Sequence, residues 1–193
     1  MHASERSRAQ AVEWCEALWG DRVGWAITAL GREPYLKAGR LQHARFEQRH
    51  YRWPEDRERL LIELLPQAPR WDVYASPLLR SKPNRREADS EPLDGQHVWL
   101  DADEWDDQRE RVLAALGAPV MRVASGGAPE RLHLYVDLGE LLPGRTVADM
   151  AKLLTEDCRT DTYGGSGKLL RLPGTLNHKP RLQGMDAGHV VIL

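Results

Sequence analysis

The chain has 193 residues, 41% of them hydrophobic and 29% charged, with a formal net charge of −2. That is the balance of an ordinary globular domain, long enough to bury a core without staples. No apolar run approaches the ~18 residues of a membrane helix, MHASERSRAQ is too charged for a secretory signal, and Cys15 and Cys158 are too few for a disulfide framework or a cysteine zinc site. A reducing cytoplasm is the expected setting, and whole-molecule attraction to nucleic acid is not expected.

In chain order, Ser4 to Gly20 reads as a helix, with Ser4 as N-cap, Val12, Cys15 and Trp19 on one face and Gly20 at the exit. An irregular stretch carrying Arg45, Arg49, Arg52 and several aromatics follows. Pro54 to Leu65 predicts a second helix, begun by Pro54, favoured by Glu55 and Asp56 at its positive end and stopped by Pro66. A short strand is expected near Trp71 to Ala75. The basic, proline-bearing segment from Ser81 to Gly95 reads as a loop or arm.

Beyond it the pattern sharpens. Strands are expected at His97–Asp103, Pro119–Ala124, Arg131–Asp137 and Lys168–Leu172, helices at Glu104–Leu116 and Thr146–Asp157, and one more strand at His189–Leu193. The order is β-α-β-β-α-β, the split arrangement of ferredoxin-like and RRM-like domains. The fold class is therefore α+β: an RRM-like catalytic sheet over residues 97–193, with an N-terminal αβ elaboration and basic arm over residues 1–96. The two-residue strand period puts Trp99, Asp101 and Asp103 on one face, and Arg131, His133, Tyr135 and Asp137 on one face of the strand expected beside it. Arg171 falls opposite Leu170 and Leu172. One side of the sheet is apolar; the other gathers carboxylates, a histidine and arginines.

Each of these features also has a plainer reading. Asp101 and Asp103, about 7 Å apart at Cα, suit a hard divalent cation with oxygen ligands. A D-x-D also serves as N-cap and first-turn charge for the helix that follows. His133, taken singly, reads as a structural histidine. Ser125, Gly126 and Gly127 make either a plain turn or a set of donors for a phosphate. GGSGK at Gly164–Lys168 fails as a P-loop, because Thr162 and Leu169 stand where Gly and Ser or Thr are required; it reads as a flexible connection. Arg80, Lys82, Arg85 and Arg86 form a cluster without an intervening acid, either solvated surface or a nucleic-acid contact.

Three segments together say more than any one. VWLDAD, SGGAPERLHLYV and D-x₉-RLPGTLNHK, in this order over about residues 70–180, resemble the archaeo-eukaryotic primase superfamily, in particular the primase-polymerase domains of phage and plasmid replication proteins. The resemblance implies that Asp101 and Asp103 bind the catalytic Mg²⁺ or Mn²⁺, with Asp161, ten residues before Arg171, or else Asp157, as the third acid. It implies that His133 and Ser125 contact the phosphates of the incoming nucleotide, with the serine-to-histidine spacing stretched here by APER. Arg171 and Lys179 match basic positions near nucleotide or template. The implied partners are a single-stranded DNA template, nucleoside triphosphates, and a helicase domain or replicative helicase.

The activity so implied is template-directed, two-metal nucleotidyl transfer by a DNA primase, a polymerase or both. A non-catalytic single-strand-binding module on an RRM-like sheet is the alternative from another class, but such sheets present stacking aromatics where this one presents Asp101 and Asp103. A metal-dependent nuclease or nickase is a third reading; it wants paired histidines and a nucleophilic tyrosine, for which Tyr163 is the only nominee.

Overall fold

The computed structural model describes residues 3–38, 40–84, 90–160 and 165–193. Helix α1 (Ala3–Trp19) matches the expectation and ends as Gly20 takes φ 52° and donates its amide to Glu16 O, a left-handed cap. It buries Ala11, Trp14, Cys15, Leu18 and Trp19.

The stretch expected to be irregular is a long antiparallel hairpin, β1 (Gly24–Lys37) and β2 (Arg40–Trp53). Alternation failed to reveal it for two different reasons. The first half of β1 is buried almost continuously, which erases the two-residue period. Strand β2, at the sheet edge, is mostly polar and at least partly exposed until Tyr51 and Trp53 enter the core at its end, so no sustained two-residue period runs along it. Helix α2 (Arg57–Leu64) begins later than Pro54, and a 3₁₀ turn, Leu65–Gln67, follows it around Pro66. Strand β3 (Asp72–Ala75) pairs with β1.

Next come β4 (Gly95–Ala102), α3 (Asp107–Ala114), β5 (Val120–Ala124), β6 (Leu132–Leu142) and α4 (Gly144–Asp157). Helix α3 starts at Asp106, whose carboxylate accepts the Arg109 amide at 2.9 Å, so Glu104 and Trp105 belong to the approach. The chain closes with β7 (Leu170–Arg171), β8 (Leu176–Asn177), β9 (Gly188–His189) and β10 (Val191–Ile192).

Two four-stranded antiparallel sheets result, ordered β2-β1-β3-β7 and β10-β5-β6-β4. The second contains the expected pairing of β4 with β6 and of β6 with β5. The expectation for the last strand is corrected: β7 does not flank β4 but joins β3 in the first sheet, and β10 adds to β5 instead. A two-residue strand contributes little ladder energy, so its place follows its side chains, with Leu170 buried in the core and Arg171 bonded to Asp72 on β3. The first sheet is thus completed by a residue pair from far along the chain.

One contiguous core joins the sheets. Trp14 of α1 meets Trp19 edge-on at 5.4 Å and Tyr135 of β6 at 5.9 Å. The β4–β6 face that alternation marks as polar is therefore divided. Its lower part, Trp99 and Tyr135, is sealed under α1 with 1% and 0% exposure. Only its upper part, around Asp101 and His133, is left for chemistry.

Candidate functional site

Register brings the first pair together: Asp101 on β4 lies opposite His133 on β6. Asp101 Oδ1 is 3.6 Å from His133 Nε2, and Asp101 Oδ2 is 2.6 Å from Lys168 Nζ. His133 is 2% exposed, and burial pushes its imidazole down to about 4, an effect that Asp101 only partly offsets and the Arg171 charge reinforces. Burial alone would raise the Asp101 carboxyl; His133, Lys168 and Arg171 outweigh it and hold the group below the usual carboxylate range. Asp103, just past the strand, is exposed and has Arg131 Nε at 3.7 Å.

The opposite wall comes from the first sheet. Tyr74 on β3 pairs with Arg171 on β7, and the Arg171 guanidinium stands 5.4 Å over the Tyr74 ring. Beside them Asp72 is wholly buried. Its Oδ1 accepts from Arg171 Nε at 3.2 Å and from the His178 amide at 3.1 Å, and its Oδ2 lies 2.9 Å from His43 Nε2. Burial works against ionisation here too, but the His43 hydrogen bond, the Arg171 charge and the His178 amide win, and the carboxyl is shifted down. Arg171 therefore acts on carboxylates of both sheets, and the cleft between them holds two cations against a partly open carboxylate.

The remaining candidates are placed as follows. Ser125 is buried; its carbonyl accepts Asn177 Nδ2 at 2.9 Å, and a Cβ on neighbouring Gly126 would stand 2.6 Å from Gly188 O. The SGG turn is thus a seat for the β8–β9 hairpin. Lys179 leads into the 3₁₀ turn Pro180–Gln183, its amide bonded to Asn177 Oδ1 at 3.0 Å. Arg80, expected with its basic cluster as solvated surface or a nucleic-acid contact, is neither. It is 1% exposed, with Nη1 bonded to Ser166 and Nη2 to Ser90 O, so it ties the segment before Lys168 to the core. Lys82 is exposed, while Arg85, Arg86, Asp161 and Tyr163 lie outside the described residues.

Asp157 cannot stand in as a third acid at this cleft. It lines a cavity of about 340 Å³ with Val98, Val136, Met150 and Leu154. Val98 and Val136 alternate with Asp101 and His133 to the other side of the sheet, so Asp157 is on the helix face.

RLPGTLNHK turns out to be mainly a clamp. Thr175 Oγ1 donates to Leu172 O at 2.6 Å, Asn177 binds the Ser125 turn, and His178 Nε2 meets Ala68 O at 2.9 Å. Gly174 packs so tightly on α1 that a Cβ would be 2.0 Å from Ser7 O. Of the string, Arg171 is the residue that reaches the carboxylate cleft.

Sequence reading missed Asp72, His43 and Lys168. An aspartate inside the apolar run around Val73 and Ala75 was a usable signal, since it shares a strand face with Tyr74. Lys168 gave none, being placed by the turn before β7 rather than by a strand period.

No family model and no curated protein matches the chain, whereas solved structures do. Primase RepB′ superposes over 97% of the chain with a TM-score of 0.61 at 14% identity. The fold is that of the archaeo-eukaryotic primases. The AEP domain of the cyanophage S-2L primase-polymerase covers 95% of the chain at TM-score 0.60 and 12% identity. The polymerase domain of Mycobacterium tuberculosis ligase D covers 90% at TM-score 0.51 and 17% identity. The chain spans 56% of the RepB′ primase structure, 88% of the cyanophage domain and 76% of the ligase D domain. At such identities the likeness to these primase and polymerase domains is one of fold.

Among the described residues, no three His, Cys, Asp or Glu side chains converge as a metal site, and no helix is long and apolar enough to cross a membrane. Asp101 and Asp103 nonetheless suit Mg²⁺ or Mn²⁺, which are commonly held by one or two carboxylates together with water and substrate phosphates. The Lys168 ammonium against Asp101 marks the same spot as one that attracts a cation.

Proposed function

We propose that this chain is a template-directed DNA primase or polymerase that joins nucleotides to a 3′-hydroxyl, with residues 1–96 and 97–193 as the two halves of one catalytic domain. The observation that carries this reading is the meeting of Asp101, His133, Lys168 and Arg171 in the cleft of a primase-type fold.

In this reading Asp101 and Asp103 hold Mg²⁺ or Mn²⁺, with Asp161 as the proposed third ligand. When bound, the ion lowers the pKa of the attacking hydroxyl and neutralises charge on the phosphates. The chain's own part is positioning and fixed charge. Lys168 and Arg171 offer donors to the phosphate oxygens, where negative charge gathers as pyrophosphate leaves. His133 backs the nucleotide's phosphates from a buried position that keeps its ring from turning away from Asp101. The RepB′ catalytic domain has been solved in complex with initiator DNA; a single-stranded DNA template is proposed for this chain by that likeness, and a helicase as a partner domain or protein.

The test is nucleotide incorporation with Mn²⁺ or Mg²⁺ on primed and unprimed single-stranded DNA, beside the Asp101→Ala/Asp103→Ala double variant. Metal-dependent product from the wild type alone is expected, and the unprimed lane separates priming from extension. Single-strand binding without product would favour a binding module and overturn the enzymatic reading.

A further inference from the structure

Arg80 is 1% exposed, and both of its backbone groups bond to Trp25 of β1: the amide donates to Trp25 O at 2.9 Å and the carbonyl accepts from the Trp25 amide at 2.8 Å. The root of the side chain is therefore fixed on the first sheet. From there the guanidinium reaches two ways. Nη2 donates to Ser90 O, and Ser90 is itself held by Lys82, whose amide donates to Ser90 Oγ and whose carbonyl accepts from it, each at 2.9 Å. Nη1 donates to Ser166, to its carbonyl at 3.2 Å and to its Oγ at 3.1 Å. Ser166 is buried as well.

Burying a guanidinium is costly, and an apolar side chain would fill the same space without that cost. What an arginine adds is a planar fork of donors at fixed angles, here one on each of two segments of chain. The segment at Ser166 leads directly to the cleft. Lys168 lies two residues on, within ~7 Å at Cα, and its amide donates to Gly165 O at 2.9 Å, so Ser166 sits inside the turn that places Lys168. The Lys168 ammonium then meets Asp101 Oδ2 at 2.6 Å. A lysine side chain is a flexible four-carbon stem that does not fix its own position. The turn sets where that stem begins, and Arg80 grips the turn from a fixed point beside β1. A displacement of ~1 Å at a reacting group is enough to cost up to ~100-fold in rate.

We propose that Arg80 is a positioning residue of the cleft: its grip on Ser166 sets the Lys168 ammonium against Asp101, and through that ammonium it tunes how tightly Asp101 takes a divalent cation. This rests on the primase-polymerase reading, which puts the cation at Asp101.

The experiment uses the full chain and Mn²⁺ as the probe, titrated by electron paramagnetic resonance against wild type, Ser166→Ala, Arg80→Lys, Lys168→Met and the double variant Arg80→Lys/Lys168→Met. Incorporation on a primed template and a melting curve accompany each. Ser166→Ala removes one of the two acceptors on the turn, and Arg80→Lys keeps a charge but loses the fork. Both are expected to bind Mn²⁺ about threefold to tenfold more tightly, because an ammonium displaced from the carboxylate opposes the cation less, and to incorporate nucleotides more slowly. In the Lys168→Met background the same Arg80 change is expected to move Mn²⁺ affinity by less than about twofold, since a residue that acts through Lys168 has nothing left to act on. If Arg80→Lys melts below the assay temperature, Ser166→Ala takes its place in the cycle. An equal shift in both backgrounds would overturn the proposal by giving Arg80 another route to the metal. Wild-type Mn²⁺ affinity and incorporation in the folded variants would confine Arg80 to stability and overturn it as well. A wild type that neither binds Mn²⁺ nor incorporates nucleotides would overturn the functional reading itself.

Discussion

Asp72 and Arg171, ninety-nine residues apart in sequence, meet at 3.2 Å with the carboxylate wholly buried. The contact closes the first sheet and sets a guanidinium whose charge acts on Asp101 of the second, so one ion pair serves both fold and site. Removing one partner of such a pair leaves a buried charge uncompensated, at a cost of about 3 kcal/mol. Asp72→Asn is expected to lose stability on that scale in urea unfolding. It is also expected to lower nucleotide incorporation through kcat/KM, because Arg171 is no longer held over Tyr74. Loss of stability with incorporation unchanged would confine Asp72 to a structural role.

The same carboxyl sets an acid limit. Asp72 ionises more readily in the folded protein than in the unfolded chain, where an aspartate titrates near ~3.9. Its contribution is therefore complete above that value and is lost as pH falls through the depressed folded value. The stability gap between wild type and Asp72→Asn should be full at pH 7 and should narrow below about pH 4. A gap independent of pH down to 3 would mean that the charge of Asp72 contributes nothing.

Where a sequence period met a half-buried strand, the structure was legible. Asp101 and His133 were read as neighbours from alternation in VWLDAD and RLHLYV together with the β-α-β-β-α-β order, and register pairs them directly. Where both faces of a strand share one environment, it was not. The buried first half of β1 and the mostly polar edge strand β2, which alternates only at Tyr51–Trp53, carry no sustained two-residue signal, so the hairpin bearing His43 and Phe46 read as irregular. Long-range closure was also invisible. Nothing local in Lys168–Arg171 says that the segment leaves one sheet for another, because that choice is made by Asp72. Arg80 shows the converse error: a basic residue beside a proline-bearing loop was read as exposed, although Ser166 and the Ser90 carbonyl take its Nη donors internally.

Gly174 offers a test of the clamp. Its φ of 81° is a conformation that L side chains resist, and an added Cβ would be 2.0 Å from the Ser7 carbonyl of α1. Backbone cannot yield as the end of a side chain can, so Gly174→Ala is expected to cost about 2–3 kcal/mol, at the upper range for overpacking. The loss should appear as a lower melting temperature. A melting curve for Gly174→Ala equal to wild type would show that α1 moves freely away from the turn.

Lys168 separates binding of a cation from its use. Its ammonium is 2.6 Å from Asp101 Oδ2, and both groups are largely shielded from water, 13% and 26% exposed. A divalent ion drawn to Asp101 must share the carboxylate with that ammonium or displace it. Lys168→Met removes the competing charge while keeping much of the side chain's apolar length. The variant is expected to bind Mn²⁺ about tenfold more tightly, since opposite charges so close commonly shift a carboxyl by a unit or more. It is also expected to incorporate nucleotides more slowly, because the ammonium no longer faces the leaving phosphates. Manganese titration followed by electron paramagnetic resonance, beside steady-state incorporation, reads the two effects apart. Tighter metal binding with faster incorporation would make Lys168 a brake on the site, and weaker metal binding would make it a support for Asp101.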